Sequence, residues 1–561
     1  MYERSPKASS GSWRDPPALA ILTAGLALRL ALALASSTYL SDRGPLVDDA
    51  FYTFSTARHL ALGDGPTADG VHPTSGFQPL YTFAIVPLYL LFPQDPWTPV
   101  HLALALLAVC GTATGWFVFQ IATQLGSRQA ALFSLLVWSF SPYFLSHGEN
   151  GLETGVCGLL VAMVLRLYVR GVPDTSSLVK LGGVLGLCTL ARVDGAIVAV
   201  IIALDLVWSR AGWRLAMRRV AMVALPAFLV VVPYFAFLFF RFGAFLPESG
   251  SATRLLSLSY GTKFIARAVP TVYFDPAHPP LSFYLGSLRE AVLTLGAEPL
   301  LFPSGLFSVV LTRTFSEPQT HFLAIAVALL LPINLLAARG LILASETGQR
   351  FFRIGVLAFA LWIPAYAFGA LGQWWFPRYF FPLFLLMSIA AGPVVEGLKS
   401  IAPLPRFLNS RAYWAAVVIV QLIAFAVQVR SRFWIHEKNL NVSSFLAMAR
   451  VLDRELPPGA RAGAFQSGAL SYFSPRPIIN LDGVVNAAAT YAIRNKRMLA
   501  YIREEKIDAV IDAPFIVEAL LQNRSDAGEV RSSCVMRRVG SKMLVLIQGS
   551  GLPATPEQAL R

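Results

Sequence analysis

The sequence predicts an all-α polytopic membrane domain over residues 1–430 followed by a small α/β extracytoplasmic domain over 431–561. Three observations carry that expectation. Of 561 residues, 55% are hydrophobic and only 14% charged, which is more apolar surface than one soluble core can hide. The basic residues behind the formal net charge of +14 gather in short turns between apolar runs, which is how membrane orientation is encoded. Beyond residue 430 the chain turns polar and breaks into strand-length apolar stretches. In a soluble protein such a charge would suggest nucleic acid, but its placement here excludes that partner.

The first apolar run, near 17–36, follows Arg4, Lys7 and Arg14 and is long enough to cross a hydrocarbon core of about 30 Å. Arg29 inside it argues for a retained span rather than a cleaved signal peptide, and a charge at mid-span calls for an ion-pair partner inside the bundle. Further spans are expected near 99–122, 130–146, 152–169, 178–190, 195–208, 220–240, 321–338, 354–371, 379–396 and 412–430, about eleven in all. The run 79–92 differs, because from Pro79 to Phe92 a helix reaches only about 21 Å and Pro87 interrupts it. It reads as an interfacial helix. Excluding it puts Arg128, Arg170, Lys180, the Arg210 to Arg219 cluster, Arg339, Arg350, Arg353, Lys399, Arg406 and Arg411 together on the cytoplasmic side. The segments 38–98, 147–151, 191–194, 241–320 and 372–378, with the tail, then share the extracytoplasmic face. The long loop 241–320 suggests amphipathic helices, either a lid over a cleft or a passive surface.

In the tail, apolar runs at Arg461–Gln466, Pro477–Leu481, Ile507–Asp512 and Lys542–Ile547 read as strands, with a helical stretch near Ala488–Glu505. Cys110, Cys157 and Cys188 lie in apolar runs and Cys534 stands apart, so no disulfide framework is implied. No metal-ligand spacing stands out; no cofactor is assigned, and a divalent cation is left open.

The chemistry concentrates on the outer side. Asp48 and Asp49 follow the first span and begin a helix near Ala50–Leu62. Acids are also natural N-terminal helix caps, so structural and functional readings both stand. Arg58, His72, Glu153, Arg192, Asp194 and Arg378 fall on the same side. Acids and arginines at one interface suit an anionic lipid headgroup, because the planar guanidinium fork matches phosphate oxygens.

The ordered set Asp48-Asp49-Ala50-Phe51-Tyr52, His72-Pro73-Thr74-Ser75-Gly76-Phe77, Asn150-Gly151-Leu152-Glu153-Thr154, Arg192-Val193-Asp194-Gly195, Arg378-Tyr379-Phe380, Gly468-Ala469-Leu470-Ser471-Tyr472-Phe473 and Asn480-Leu481-Asp482-Gly483 resembles the GT-C superfamily of integral membrane glycosyltransferases. It is most similar to the bacterial branch with arabinofuranosyl- and mannosyltransferase-like proteins. The resemblance implies a polyprenyl-phospho-sugar donor, a glycan, lipid or protein acceptor, and a catalytic carboxylate in the first outer loop, here Asp48 or Asp49. It further implies substrate-binding roles for Arg58, His72, Glu153, Arg192, Asp194 and Arg378, in a bacterial plasma membrane with the active site extracytoplasmic. A flippase of a lipid-linked sugar is the competing class, and would more naturally show internal repeats and polar sites at the midplane. A non-catalytic envelope assembly protein is the third.

Overall fold

The computed structural model describes residues 15–171, 174–208, 212–265, 339, 345–368, 377–401, 410–429, 442–513, 534–539 and 542–547. Helix α1, Pro16–Ala33, starts where Asp15 caps the Ala18 amide at 3.1 Å and proline occupies the first turn. After α2, Ser37–Asp42, comes α3, Asp48–Leu62, which ends at Gly63 in the left-handed region (φ 88°). Helices α4 (Pro79–Leu91), α5 (Thr98–Leu125), α6 (Arg128–Phe140), α7 (Pro142–Gly148), α8 (Thr154–Val169), α9 (Thr175–Ala191), α10 (Gly195–Trp208), α11 (Trp213–Phe242) and α12 (Glu248–Ile265) follow. Next come α13 (Glu346–Phe368), a 3-10 turn Pro377–Phe380, α14 (Phe381–Ile401) and α15 (Ser410–Val429).

Among the described residues five helical segments are long and apolar enough to cross a membrane: Pro16–Ala33, Thr98–Leu125, Trp213–Phe242, Glu346–Phe368 and Pro377–Gly397. The chain is an integral membrane protein. Shorter apolar helices, including α4, α8, α9 and α10, pack among them. Helix α4 has the limited length expected, with Tyr81, Ile85 and Tyr89 buried. The expected span 130–146 is instead two helices, because Pro142 forces Ser141 into an extended conformation (ψ 126°) between α6 and α7. The expected span 321–338 and the loop from 266 to 320 lie outside the described residues.

Long-range hydrogen bonds fix which helix ends meet. Arg128 grips Asp15 at 2.7 and 2.9 Å, and the Ser127 amide donates to Glu396 at 2.9 Å. At the opposite end His101 pairs with the Ala33 carbonyl at 2.7 Å. The acids Asp48, Asp49, Glu149, Glu153 and Asp194 belong to that second end, since Glu153 begins α8 while Tyr168, near its other terminus, meets Asp205 and Arg350. Between the ends, α5, α6, α8, α9, α10, α13 and α14 enclose the main core around Trp138, Phe144, Tyr168, Trp362 and Phe384.

The C-terminal part comprises α16 (Val442–Glu455), β1 (Ala462–Ala464), α17 (Gly468–Phe473), β2 (Ile478–Asn480), α18 (Ala487–Arg494), α19 (Met498–Glu504), β3 (Ala509–Asp512), β4 (Cys534–Val539) and β5 (Lys542–Ile547). The sheet order is β2-β1-β3-β5-β4, parallel over its first three strands and antiparallel over the rest. The helical stretch expected near 488–505 is split at Asn495–Arg497, where Lys496 adopts a positive φ of 55°. This part does not hang free. Phe51, Phe54, Tyr81, Phe445, Ala469 and Tyr472 share one apolar cluster, so α3 and α4 are packed directly under α16 and α17.

Candidate functional site

Val47 precedes α3 without a side-chain cap, and Asp48 and Asp49 occupy its first turn, where the helix dipole favours anions. Consecutive helical residues diverge by about 100°, and the two carboxylates meet different partners. Asp48 Oδ1 accepts the Ala469 amide at 2.7 Å. Asp49 Oδ2 pairs with the Arg378 guanidinium. The Asp49 side chain keeps 44% of its surface exposed and is therefore the acid a solute can reach.

From Arg378 the network continues inward. Its guanidinium lies 5.4 Å from the Tyr379 ring centroid, and that of Arg192 lies 5.8 Å from the same ring. Arg192 forks onto Asp194 at 3.0 and 2.7 Å, and its third nitrogen stands 3.7 Å from Glu153. Tyr366 donates to Asp194 and lies 3.3 Å from Arg192. Arg192 is thus supplied by the end of α9, Glu153 by the start of α8, Tyr366 by α13 and Arg378 by the 3-10 turn before α14.

Burial pushes the Asp48 carboxyl up to about 7 despite the Ala469 amide, and the neighbouring charges of Asp49 and Asp512 add to this. Asp482 is driven up to about 8 by burial, opposed by the Val484 amide and aided by Asp49 and Asp48.

Six of the eight sequence candidates therefore converge: Asp48, Asp49, Glu153, Arg192, Asp194 and Arg378. The other two lie elsewhere. Arg58 is ten residues along α3 from Asp48, about 15 Å, and donates to the Tyr472 carbonyl at 3.1 Å with its guanidinium 5.4 Å from that ring. His72 sits between Asp69 at 2.9 Å and Glu505 at 3.4 Å. Both tie the segment between α2 and α4 to the C-terminal part. Trp374 and Trp375 lie outside the described residues.

Sequence reasoning placed Tyr52, Tyr379 and Asp482 in the motifs that carry the resemblance without giving them a role, and singled out neither Tyr366 nor Asp512. The Tyr52 hydroxyl accepts from the Ser467 amide at 3.2 Å and Asn480 Nδ2 at 3.3 Å, and donates to the Phe465 carbonyl at 3.4 Å. Asp512 Oδ2 accepts the Phe465 and Gln466 amides at 2.9 and 2.8 Å. Phe465, Asn480 and Asp512 stand at or just beyond the carboxyl ends of β1, β2 and β3, the edge where open parallel sheets bind ligands. That edge faces Asp48. The Leu-Asp-Gly stretch at 481–483, in an otherwise apolar strand end, was the available signal for Asp482.

Among the described residues no group of three His, Cys, Asp or Glu side chains is arranged to hold a metal ion.

The family described as Dolichyl-phosphate-mannose-protein mannosyltransferase matches residues 76–237, and a domain of unknown function, DUF8728, matches residues 430–542. No curated protein matches the chain. Among solved structures, ArnT from Cupriavidus metallidurans in the apo state aligns at a TM-score of 0.57 and 14% identity, covering 96% of this chain and 99% of that one. The chain has a GT-C fold. The same enzyme bound to undecaprenyl phosphate aligns at 0.53 and 14% identity, over 95% and 99% of the two chains. The archaeal oligosaccharyltransferase AglB from Archaeoglobus fulgidus, in complex with an inhibitory peptide and a dolichol-phosphate, aligns at 0.52 and 14%, over 97% of this chain and 75% of its own. Within this GT-C fold the Asp49–Arg378 pair stands at the junction of the membrane helices and the C-terminal sheet.

Proposed function

We propose that the protein is a glycosyltransferase that moves a sugar from a polyprenyl-phosphate-linked donor to a glycan, lipid or protein acceptor at the extracytoplasmic face of a bacterial plasma membrane. The observation that carries this reading is a solvent-reachable acid, Asp49, paired with Arg378 beside Arg192 and Glu153. Structures of the same fold hold undecaprenyl phosphate and dolichol-phosphate, the donor's leaving group. The boundary between catalytic membrane domain and C-terminal domain falls near residue 430 in this reading.

Asp49 accepts the proton of the acceptor hydroxyl as its oxygen attacks the anomeric carbon. The bond from that carbon to the phosphate oxygen breaks in the same displacement, and the electron pair leaves on polyprenyl phosphate. A phosphate leaving group needs little protonation at neutral pH, so one base suffices, and a single displacement inverts the anomeric centre. Arg378 and Arg192 offer charge-assisted hydrogen bonds to the departing phosphate. Drawing Arg378 onto the phosphate frees Asp49 to act as base. Asp48, held by the C-terminal part, positions the helix turn that carries Asp49.

The test is transfer from decaprenyl-phospho-sugars by purified protein in nanodiscs. Asp49→Asn abolishes turnover while leaving the melting temperature near that of the parent. Normal turnover by Asp49→Asn removes the base assignment, and leaflet-to-leaflet movement of the lipid without glycosylated product favours the flippase.

A further inference from the structure

Arg378 stands on a short 3-10 turn, Pro377–Phe380, that leads into α14. A turn of this kind closes few hydrogen bonds of its own and with poorer geometry than an α-helix, so its orientation depends on what grips it from outside. Two side chains do so. The Tyr143 hydroxyl, from the first turn of α7, donates to the Pro377 carbonyl at 2.9 Å. The Trp362 indole N–H, from α13, donates to the Tyr379 carbonyl at 2.8 Å. The two carbonyls bracket Arg378, one on each side. Neither bond is a helix cap, because the start of a helix lacks partners for its N–H groups and not for its carbonyls.

Both donors are buried and held. The Tyr143 ring centroid lies 4.4 Å from that of Phe384 and 6.0 Å from that of Phe381, both on α14, and 4.7 Å from that of His147 one turn along α7. Trp362 stacks on Tyr366 at 6.4 Å, and Tyr366 stacks on Tyr379 at 5.2 Å. Tyr379 is the ring that the guanidiniums of Arg378 and Arg192 both approach, so this ladder of rings ends at the two arginines. In the proposed cycle Arg378 changes partners from Asp49 to phosphate, and a misplacement of about 1 Å at such a group costs on the order of 100-fold in rate. A side chain that must swing needs a backbone that stays put.

We propose that Tyr143 and Trp362 are positioning residues for Arg378, fixing the backbone of its turn while the guanidinium passes between Asp49 and the phosphate of a polyprenyl-phosphate ligand. Both act through Arg378. This deepens the transferase reading and rests on it for the identity of the phosphate.

The test measures the dissociation constant for decaprenyl phosphate, and sugar transfer from decaprenyl-phospho-sugars, on full-length protein in nanodiscs. Tyr143→Phe keeps the ring and removes the hydroxyl; it weakens decaprenyl phosphate binding and lowers kcat by about 5-fold each, the scale of one neutral hydrogen bond, with acceptor KM unchanged. In an Arg378→Gln background the same change does nothing further, because no guanidinium is left to aim. A hydroxyl that merely stabilises the bundle gives the same loss in both backgrounds or in neither. Tyr168→Phe is the control: it removes another buried hydroxyl, bonded to Asp205 at 2.7 Å at the opposite end of the bundle, and leaves decaprenyl phosphate affinity at the parental value. Trp362→Phe repeats the cycle from the second side. Parental affinity in folded Tyr143→Phe and Trp362→Phe, losses that persist in Arg378→Gln, or failure of both variants to fold each overturn the proposal. A parent that binds decaprenyl phosphate through Arg378 but transfers no sugar overturns the transferase reading and leaves the positioning role standing; a parent that does not bind the lipid overturns both.

Discussion

Gly468 opens α17 directly above Asp48, and a Cβ there would stand 2.2 Å from the Asp48 carbonyl oxygen and 3.2 Å from its carboxyl carbon. Gly468→Ala therefore has to open the first gap to an ordinary 3.4 Å, about 1.2 Å of movement between α17 and the first turn of α3. Neither side yields freely. Phe51 stands 5.3 Å from the rings of both Tyr472 and Phe473, locking α3 to α17 one turn further on. Overpacking of this kind costs about 1–3 kcal/mol of stability. The functional loss is larger, because Arg378 sits on a different element and does not move with α3. A displacement of about 1 Å at reacting groups costs on the order of 100-fold in rate. The assay is sugar transfer and thermal unfolding on purified Gly468→Ala, with Gly183→Ala as control, since a Cβ at Gly183 meets nothing within 4 Å. Parental turnover by Gly468→Ala refutes the claim that the C-terminal part sets the position of the acids.

Arg29→Met strands Glu149 in the bundle and lowers stability by about 3–5 kcal/mol, whereas Arg29→Met with Glu149→Leu recovers the melting temperature. For His72, burial works against the charged ring but Asp69 and Glu505 outweigh it, so its folded pKa is raised. Its contribution is full below the free value of 6.5 and disappears as pH rises through the raised value; hydrogen exchange near Glu505 quickens there, and His72→Gln abolishes that dependence. Asp48 is raised from 3.8 to about 7, so it holds its proton more tightly folded than unfolded and stability falls as pH climbs between those values. Turnover rises through about pH 7 as the ionised Asp48 grips the Ala469 amide, and Asp48→Asn removes that limb from the pH–rate profile.

Much of the membrane part was legible because hydropathy and helix length are local properties. The short run at 79–92, the mid-span Arg29 and its need for a partner, and four of the five strands follow from the sequence itself. The partner's identity did not, since Glu149 lies 120 residues away from Arg29. The break at Ser141 escaped because Pro142 sits in a continuously apolar run, where hydropathy outvoted the restriction that proline places on its predecessor. Strand β4 carries two arginines among its six residues, which hides the alternation. Arg58 and His72 were grouped with the acids by shared side of the membrane, a constraint too coarse to separate a cleft from the junction next to it.

The adjacency of Asp48 and Asp49 becomes intelligible only with the C-terminal part in place. Two acids one residue apart on a helix point in directions that no single ligand easily shares, and their like charges oppose joint ionisation. The fold gives each a different partner class. A backbone amide is fixed, neutral and cannot be drawn away, so Asp48 is a permanent attachment to the edge of the sheet. A guanidinium is mobile and charged, and an arriving phosphate competes for it, so the Asp49 pairing is the one that substrate can break. In the proposed cycle only Asp49 can therefore change state without undocking the C-terminal part. The physical asymmetry between an amide and an arginine, rather than any difference between two aspartates, is what favours Asp49 as the proposed base.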